Sequence, residues 1–130
     1  MIIGSGLEED AVRELIRKYH FIGMRKPYSS KAQLYKMLGS SMCMLNMSER
    51  EGLSVITIES AALGTAPVLP SYTPIPREVK ELSVVEDVGN IPQTIADIVS
   101  GKIKYKAERE KLERFDVGRI KGAFKRLLAD

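Results

Sequence analysis

The chain has 130 residues and a formal net charge of +3; 44% of it is hydrophobic and 28% charged, enough for one core and too balanced for disorder. A single cysteine and a single histidine exclude an internal disulfide and any site that needs several thiols or imidazoles. No apolar run nears the ~18 residues of a membrane span, MIIGSGLEED does not read as a secretory signal, and a reducing, cytoplasmic setting is the default.

In chain order, Met1 to Ile3 followed by GSG reads as a short strand ending in a tight turn. Glu8 to Tyr19 reads as a helix with Leu7, Val12, Leu15 and Ile16 as its apolar positions. Glu8, Glu9 and Asp10 at its start and Arg17 and Lys18 at its end complement the helix dipole. His20 to Gly23 is a second short apolar segment. Lys31 to Leu38 predicts a helix closed by Gly39, and Met42 to Leu45 a strand. Leu53 to Leu63 predicts a helix with Gly64 as its stop, and Ala66 to Leu69 a strand. Pro70, Pro74 and Pro76 make a stiff loop, and Val84 and Val85 a weak last strand. Ile91 to Val99 predicts a helix, and Asp116 caps a final one running to Leu128. Strands alternating with helices at this spacing imply βαβ units and a mostly parallel sheet of about five strands in a single domain.

Charge is placed unevenly. Residues 1–100 carry ten Lys and Arg against twelve Asp and Glu, or −2, and residues 101–130 carry ten against five, or +5. Only Tyr105, Phe115 and Phe124 interleave the later cations, which argues against a base-stacking surface and so against nucleic acid. The tail from about residue 102 to 130 is either a solvated, charged helix or one that docks on an acidic partner or, peripherally, on an anionic membrane.

A dinucleotide fingerprint starting at Gly4 needs glycine at position 9, where Glu9 stands, and no acid lies near position 23 to hold a ribose. The GSG is therefore read as turn glycines, and no cofactor is implied. The informative stretch is SEREGLSVITIESAALG, residues 48–64. At ~100° per residue from Val55, Ile56, Ile58, Ala62 and Leu63 fall in one arc, with Thr57 and Ser60 opposite. Glu59 falls inside the apolar arc, where a carboxylate is costly without partners. Either a ligand with paired hydroxyls, such as a ribose, satisfies it, or a lysine or a helix edge does; LSVITI also fits a strand. Glu51 precedes this helix, whose first N–H groups form an anion site, and Gly52 lets a ligand approach the backbone. Glu51 is read there either as an acceptor from hydroxyls or as an acidic cap.

Together these residues resemble the signature of the group 1 glycosyltransferases, which have the GT-B fold: a hydrophobic strand (Met42 to Leu45), Ser48, Glu51-Gly52, Glu59 eight positions on, Ala61-Ala62, Gly64 and Pro67-Val68. Upstream, Ile2 to Gly6 and Phe21-Ile22-Gly23 match a strand ending in Gly-x-Gly and a later Phe-x-Gly; downstream, Phe115 precedes a basic amphipathic helix. The resemblance implies a Rossmann-like, three-layer α/β domain similar to the C-terminal, donor-binding half of such an enzyme. It also implies retaining transfer of a hexosyl group from a nucleotide-diphosphate sugar, without metal or cofactor. By position, Glu51 would contact donor-sugar hydroxyls as the catalytic carboxylate. The backbone of Gly52, Leu53 and Ser54 would meet sugar and diphosphate oxygens, Glu59 the ribose, and the loop around Met24 and Arg25 the base.

The departures also carry expectations. The pattern's first strand and helix, with the Gly-Arg and Lys that neutralise the diphosphate, have no counterpart, and neither has the acceptor domain. No independent turnover is expected, because transfer needs both substrates positioned together. The strand gap implies an acceptor-domain subunit, a homo-oligomer, or direct pairing of the strands flanking the gap. The Glu-Gly-Phe-Gly of the pattern stands here as Glu51-Gly52-Leu53-Ser54, which removes backbone freedom at Ser54. A non-catalytic nucleotide-binding, regulatory or interaction module on the same fold is the alternative.

Overall fold

The computed structural model describes residues 1–3, 6–116 and 118. Its contacts fall into two units, Met1–Leu34 and Tyr35–Asp130, where the sequence predicts one domain. Gly4 and Ser5 of the GSG turn, and nearly all of the final helix expected from Asp116 to Leu128, lie outside the described residues.

In the smaller unit, β1 (Ile2–Ile3) and β2 (Met24–Arg25) pair in parallel, Ile2 opposite Met24 and Ile3 opposite Arg25. The crossover is α1 (Glu9–Lys18), with the expected acidic first turn and basic last turn. None of its residues is buried, and Leu7, expected on its apolar side, precedes the helix and is fully exposed. Met24 and Arg25, expected in a loop, are strand. The chain reverses after α1 through a turn closed by Ile22 N–H on the Tyr19 carbonyl at 3.0 Å. That turn takes up His20 to Ile22 and delays the strand to Met24.

α2 (Lys31–Gly39) leads into the larger unit, built on β3 (Cys43–Leu45), β4 (Ala66–Pro70) and β5 (Val84–Glu86). The ladder order is β3-β4-β5, all parallel: Cys43 faces Ala66, Leu45 faces Val68, and Val68 faces Val84. All five expected strands are thus parallel, in two ladders rather than one. The central strand, β4, is buried along its whole length, which is why APVLP lacks the alternation of a one-sided strand.

Alternate residues of β4 feed two cores. Ala66 and Val68 pack with Ile91 and Ile98 of α5 (Ile91–Val99), joined by Cys43, Val84, Ile95, Ile103 and Tyr105. Leu69, pointing the other way, packs with Ile75, Val79, Ile58 and Phe115. Those residues bring in α3 (Val55–Ala62), the short α4 (Arg77–Lys80) and the segment after α6 (Arg109–Glu113). Helices on both faces of a parallel sheet make this unit a three-layer, Rossmann-like α/β arrangement.

α4 is an element the proline loop hid: Pro76 cannot continue an incoming helix, yet its carbonyl accepts from Val79 at 3.0 Å and Lys80 at 3.1 Å, and Val79 is wholly buried. α3 stops as the sequence predicts. Gly64 sits at φ +80°; its N–H reaches the Ala61 carbonyl and that of Thr65 the Ser60 carbonyl, a left-handed closure that favours glycine.

Past α5, four cations of the basic segment are paired. Lys102 meets Asp97, Arg109 meets Glu113, Lys111 meets Glu108 and Arg114 meets Glu81, at 2.6–3.2 Å. No helix among the described residues is long and apolar enough to cross a membrane.

Candidate functional site

Ligands of parallel α/β sheets sit beyond the carboxyl ends of the strands. In the larger unit that edge carries residues 46–54 after β3 and 71–76 after β4. The two loops are tied by the Tyr72 hydroxyl, which donates to the Met47 carbonyl at 3.4 Å. A further tie runs to the end of β5, where Ser71 Oγ donates to Asp87 Oδ1 at 2.8 Å.

Asn46 organises the first loop. Its backbone N–H continues the ladder onto the Val68 carbonyl at 3.1 Å. Its side-chain oxygen accepts from Ser48 N–H at 3.0 Å, a turn that Asn side chains favour. Its Nδ2 donates to Glu51 Oε1 at 3.1 Å and to Ser54 Oγ at 3.2 Å. Ser54 Oγ in turn lies 2.8 Å from Thr57 Oγ1. A polar chain therefore runs from Glu51 through Asn46 and Ser54 into the buried side of α3.

Ser54 precedes α3 with φ 52° and ψ 66°. It is the one non-glycine residue at positive φ among the described residues, and it is buried. Its left-handed turn swings the chain from Glu51-Gly52-Leu53 into the helix, and its carbonyl takes the Thr57 and Ile58 N–H groups. The N–H groups of Val55 and Ile56, in the first turn, have no carbonyl within the helix to meet. Gly52 is exposed and its ordinary φ needs no glycine; a Cβ added there would enter open space. Leu53 is half-exposed.

The orientation of α3 overturns the helix-wheel argument. Thr57, Ser60 and Ala61 are the buried positions, while Val55, Ala62 and Leu63 are exposed. Small side chains let the helix lie close on β4, which outweighs the larger apolar groups that would have held it farther off. Glu59 is accordingly not in a buried apolar arc. It is half-buried, and its Oε1 accepts from the Tyr35 hydroxyl of α2 at 2.6 Å. Ser60 Oγ and Thr73 Oγ1 are buried without a hydrogen-bond partner.

The structure thus joins Glu51 and Ser54 through Asn46, with Gly52 and Leu53 between them. Glu59 lies farther along α3 with Tyr35, and Met24 and Arg25 belong to β2 of the other unit. Asn46, Tyr35 and Tyr72 are the polar residues that sequence reasoning passed over. The signal for Asn46 was a polar residue ending the apolar run Met42 to Leu45. Two titrating groups lie in the core on the α5 face. Burial pushes the Cys43 thiol up, and pushes Tyr105, whose hydroxyl donates to the Leu82 carbonyl at 2.5 Å, up to about 12. On α5, hydrogen bonds from Lys102 and Gln93 hold the half-buried Asp97 carboxyl below its usual range. Among the described residues no cluster of three or more His, Cys, Asp or Glu could hold a metal ion.

Comparison with family models, with curated proteins and with solved structures found no match.

Proposed function

We propose that the edge formed by Asn46 to Thr57 binds a nucleotide-diphosphate sugar, as the donor half of a retaining hexosyltransferase similar to the group 1 glycosyltransferases. The observation that carries this reading is the left-handed backbone at Ser54. The signature has glycine there, the residue type such a backbone favours, and this chain keeps the backbone although the residue is serine.

The rest of the edge is chemically suited. Glu51 is an acceptor-only group with about four lone-pair sites, so the Asn46 bond leaves capacity for sugar hydroxyls. The N–H groups opening α3 favour a diphosphate, and open space over Gly52 gives it access. Glu59, with Tyr35 on one oxygen, is assigned the ribose hydroxyls. The reading keeps two further parts: a free thiol at Cys43 that fits a reducing cytoplasm, and an acceptor supplied by another domain, subunit or copy. A nucleotide-binding module without transfer is the second reading.

The test is calorimetric and thermal-shift titration with UDP, GDP, ADP and their common sugar conjugates. A ligand at 100 times its dissociation constant stabilises the fold by about 2.7 kcal/mol. Gly52→Ala supplies the control, because the new methyl group meets no protein atom yet covers the backbone that the ligand approaches. Selective binding by the native chain, weakened in Gly52→Ala with the fold intact, is expected; no shift from any nucleotide on a folded sample overturns the proposal.

A further inference from the structure

We infer that Asn46 is the positioning residue of this site, holding the Glu51 carboxylate and the left-handed Ser54 turn in one fixed relation. The inference rests on the donor-site reading. It goes beyond that reading by assigning a role to a residue that the Met42 to Val68 signature does not name.

The geometry is specific. A primary amide has two N–H donors and one carbonyl acceptor. Asn46 directs its donors to Glu51 Oε1 and Ser54 Oγ, and its acceptor receives the Ser48 N–H. All three partners lie within the loop, and the Asn46 backbone is anchored to the central strand through Val68. The side chain therefore transmits the position of the sheet to a carboxylate five residues later and to the helix start eight residues later. Few other residue types could replace it. Aspartate keeps the acceptor for Ser48 but has no donor when ionised and sets a second negative charge against Glu51. Leucine fills space and makes none of the bonds. A carboxylate fixed in this way has lost its rotamer freedom before a sugar arrives, which lowers the cost of binding.

Asn46→Asp separates this role from ordinary turn-making. The Ser48 turn survives the change, so a residue needed only for that turn tolerates it. A residue that orients Glu51 does not. The expected result is a loss of affinity for the sugar conjugate (UDP-glucose, GDP-mannose or ADP-glucose, whichever the native chain binds) about tenfold greater than the loss for the bare diphosphate. Tenfold is the order of one charge-assisted hydrogen bond.

A ligand-free arm uses urea unfolding. Asn46→Asp is expected to lower the folding constant several-fold. Adding Glu51→Gln, which reverses the polarity of the same hydrogen bond, is expected to restore most of it. Equal losses for conjugate and bare diphosphate, or a double variant no more stable than Asn46→Asp, overturn the assignment of Asn46 while leaving the donor site in place. A native chain that binds no nucleotide overturns the donor site, and the assignment with it.

Discussion

Ser54 offers the sharpest test of the loop geometry. Its backbone lies at φ 52°, where an L-residue with a Cβ is strained by roughly 1–2 kcal/mol and glycine is not. Its hydroxyl is bonded to Asn46 at 3.2 Å and to Thr57 at 2.8 Å. Thr57 is completely buried, so removing the Ser54 hydroxyl strands a buried polar group at a cost of about 1–3 kcal/mol. Ser54→Ala loses the bonds and keeps the strain, so it should destabilise by that full amount. Ser54→Gly loses the same bonds and relieves the strain, but frees the unfolded chain by about 0.5–1 kcal/mol. The two variants should therefore differ by up to about 1.5 kcal/mol with glycine the more stable, the reverse of the order at an ordinary helical position. Urea unfolding followed by circular dichroism measures both against the native chain. If the alanine variant is the more stable of the two, the left-handed turn is not a feature of the folded state, and the argument from Ser54 to a ligand-binding loop fails with it.

Other consequences are read in the same assay or in titrations. Ser60→Ala removes a buried hydroxyl that has no partner and should leave stability unchanged or raise it by about 1 kcal/mol; a clear loss would mean that the hydroxyl is satisfied. Leu69→Ala empties a fully buried position on the α3 face of the sheet and should cost about 2–5 kcal/mol, with a smaller effect indicating that this face is loosely packed. Tyr105, pushed up to about 12 by burial, favours the fold in its neutral form. That contribution is complete below the ordinary tyrosine range and is lost as pH rises toward 12, so native tyrosinate absorbance should show one group ionising later than the rest, and Tyr105→Phe should abolish that late step. Tyr35→Phe releases Glu59 Oε1 from a 2.6 Å hydrogen bond, and under the donor-site reading it should change affinity for bare nucleosides and for sugar conjugates by the same factor; a change confined to conjugates would move Glu59 from the ribose to the sugar.

How far the sequence could be read depends on which force set each feature. Helix α5 was legible to its end residues because its periodicity, the proline at its second position and the glycine after it all agree. The stop of α3 was legible for the same reason, since the backbone at position 64 favours glycine. The rotation of α3 was not, because a hydrophobicity wheel ranks side chains by polarity, whereas this helix was placed by size. Thr57, Ser60 and Ala61 turn inward since a buried central strand rewards close approach. That reversal removed the energetic reason for giving Glu59 a ligand while leaving its place in the spacing untouched. The smaller unit was misread where side-chain pattern says least: β1 and β2 are two residues each, too short for alternation to show, and a turn moved the second strand off its apolar segment.

The site divides along the same line. Glu51, Gly52 and Ser54 were nominated by the resemblance and its spacing. Asn46, which connects two of them, showed only as a polar residue ending an apolar run, because its role lies in three hydrogen bonds that no periodicity encodes. Under the donor-site reading, the signature records where a ligand touches the chain. The residues that would hold such contacts in register belong to the loop's own hydrogen bonding, and serine is tolerated at the left-handed position 54 because those bonds offset the strain it brings.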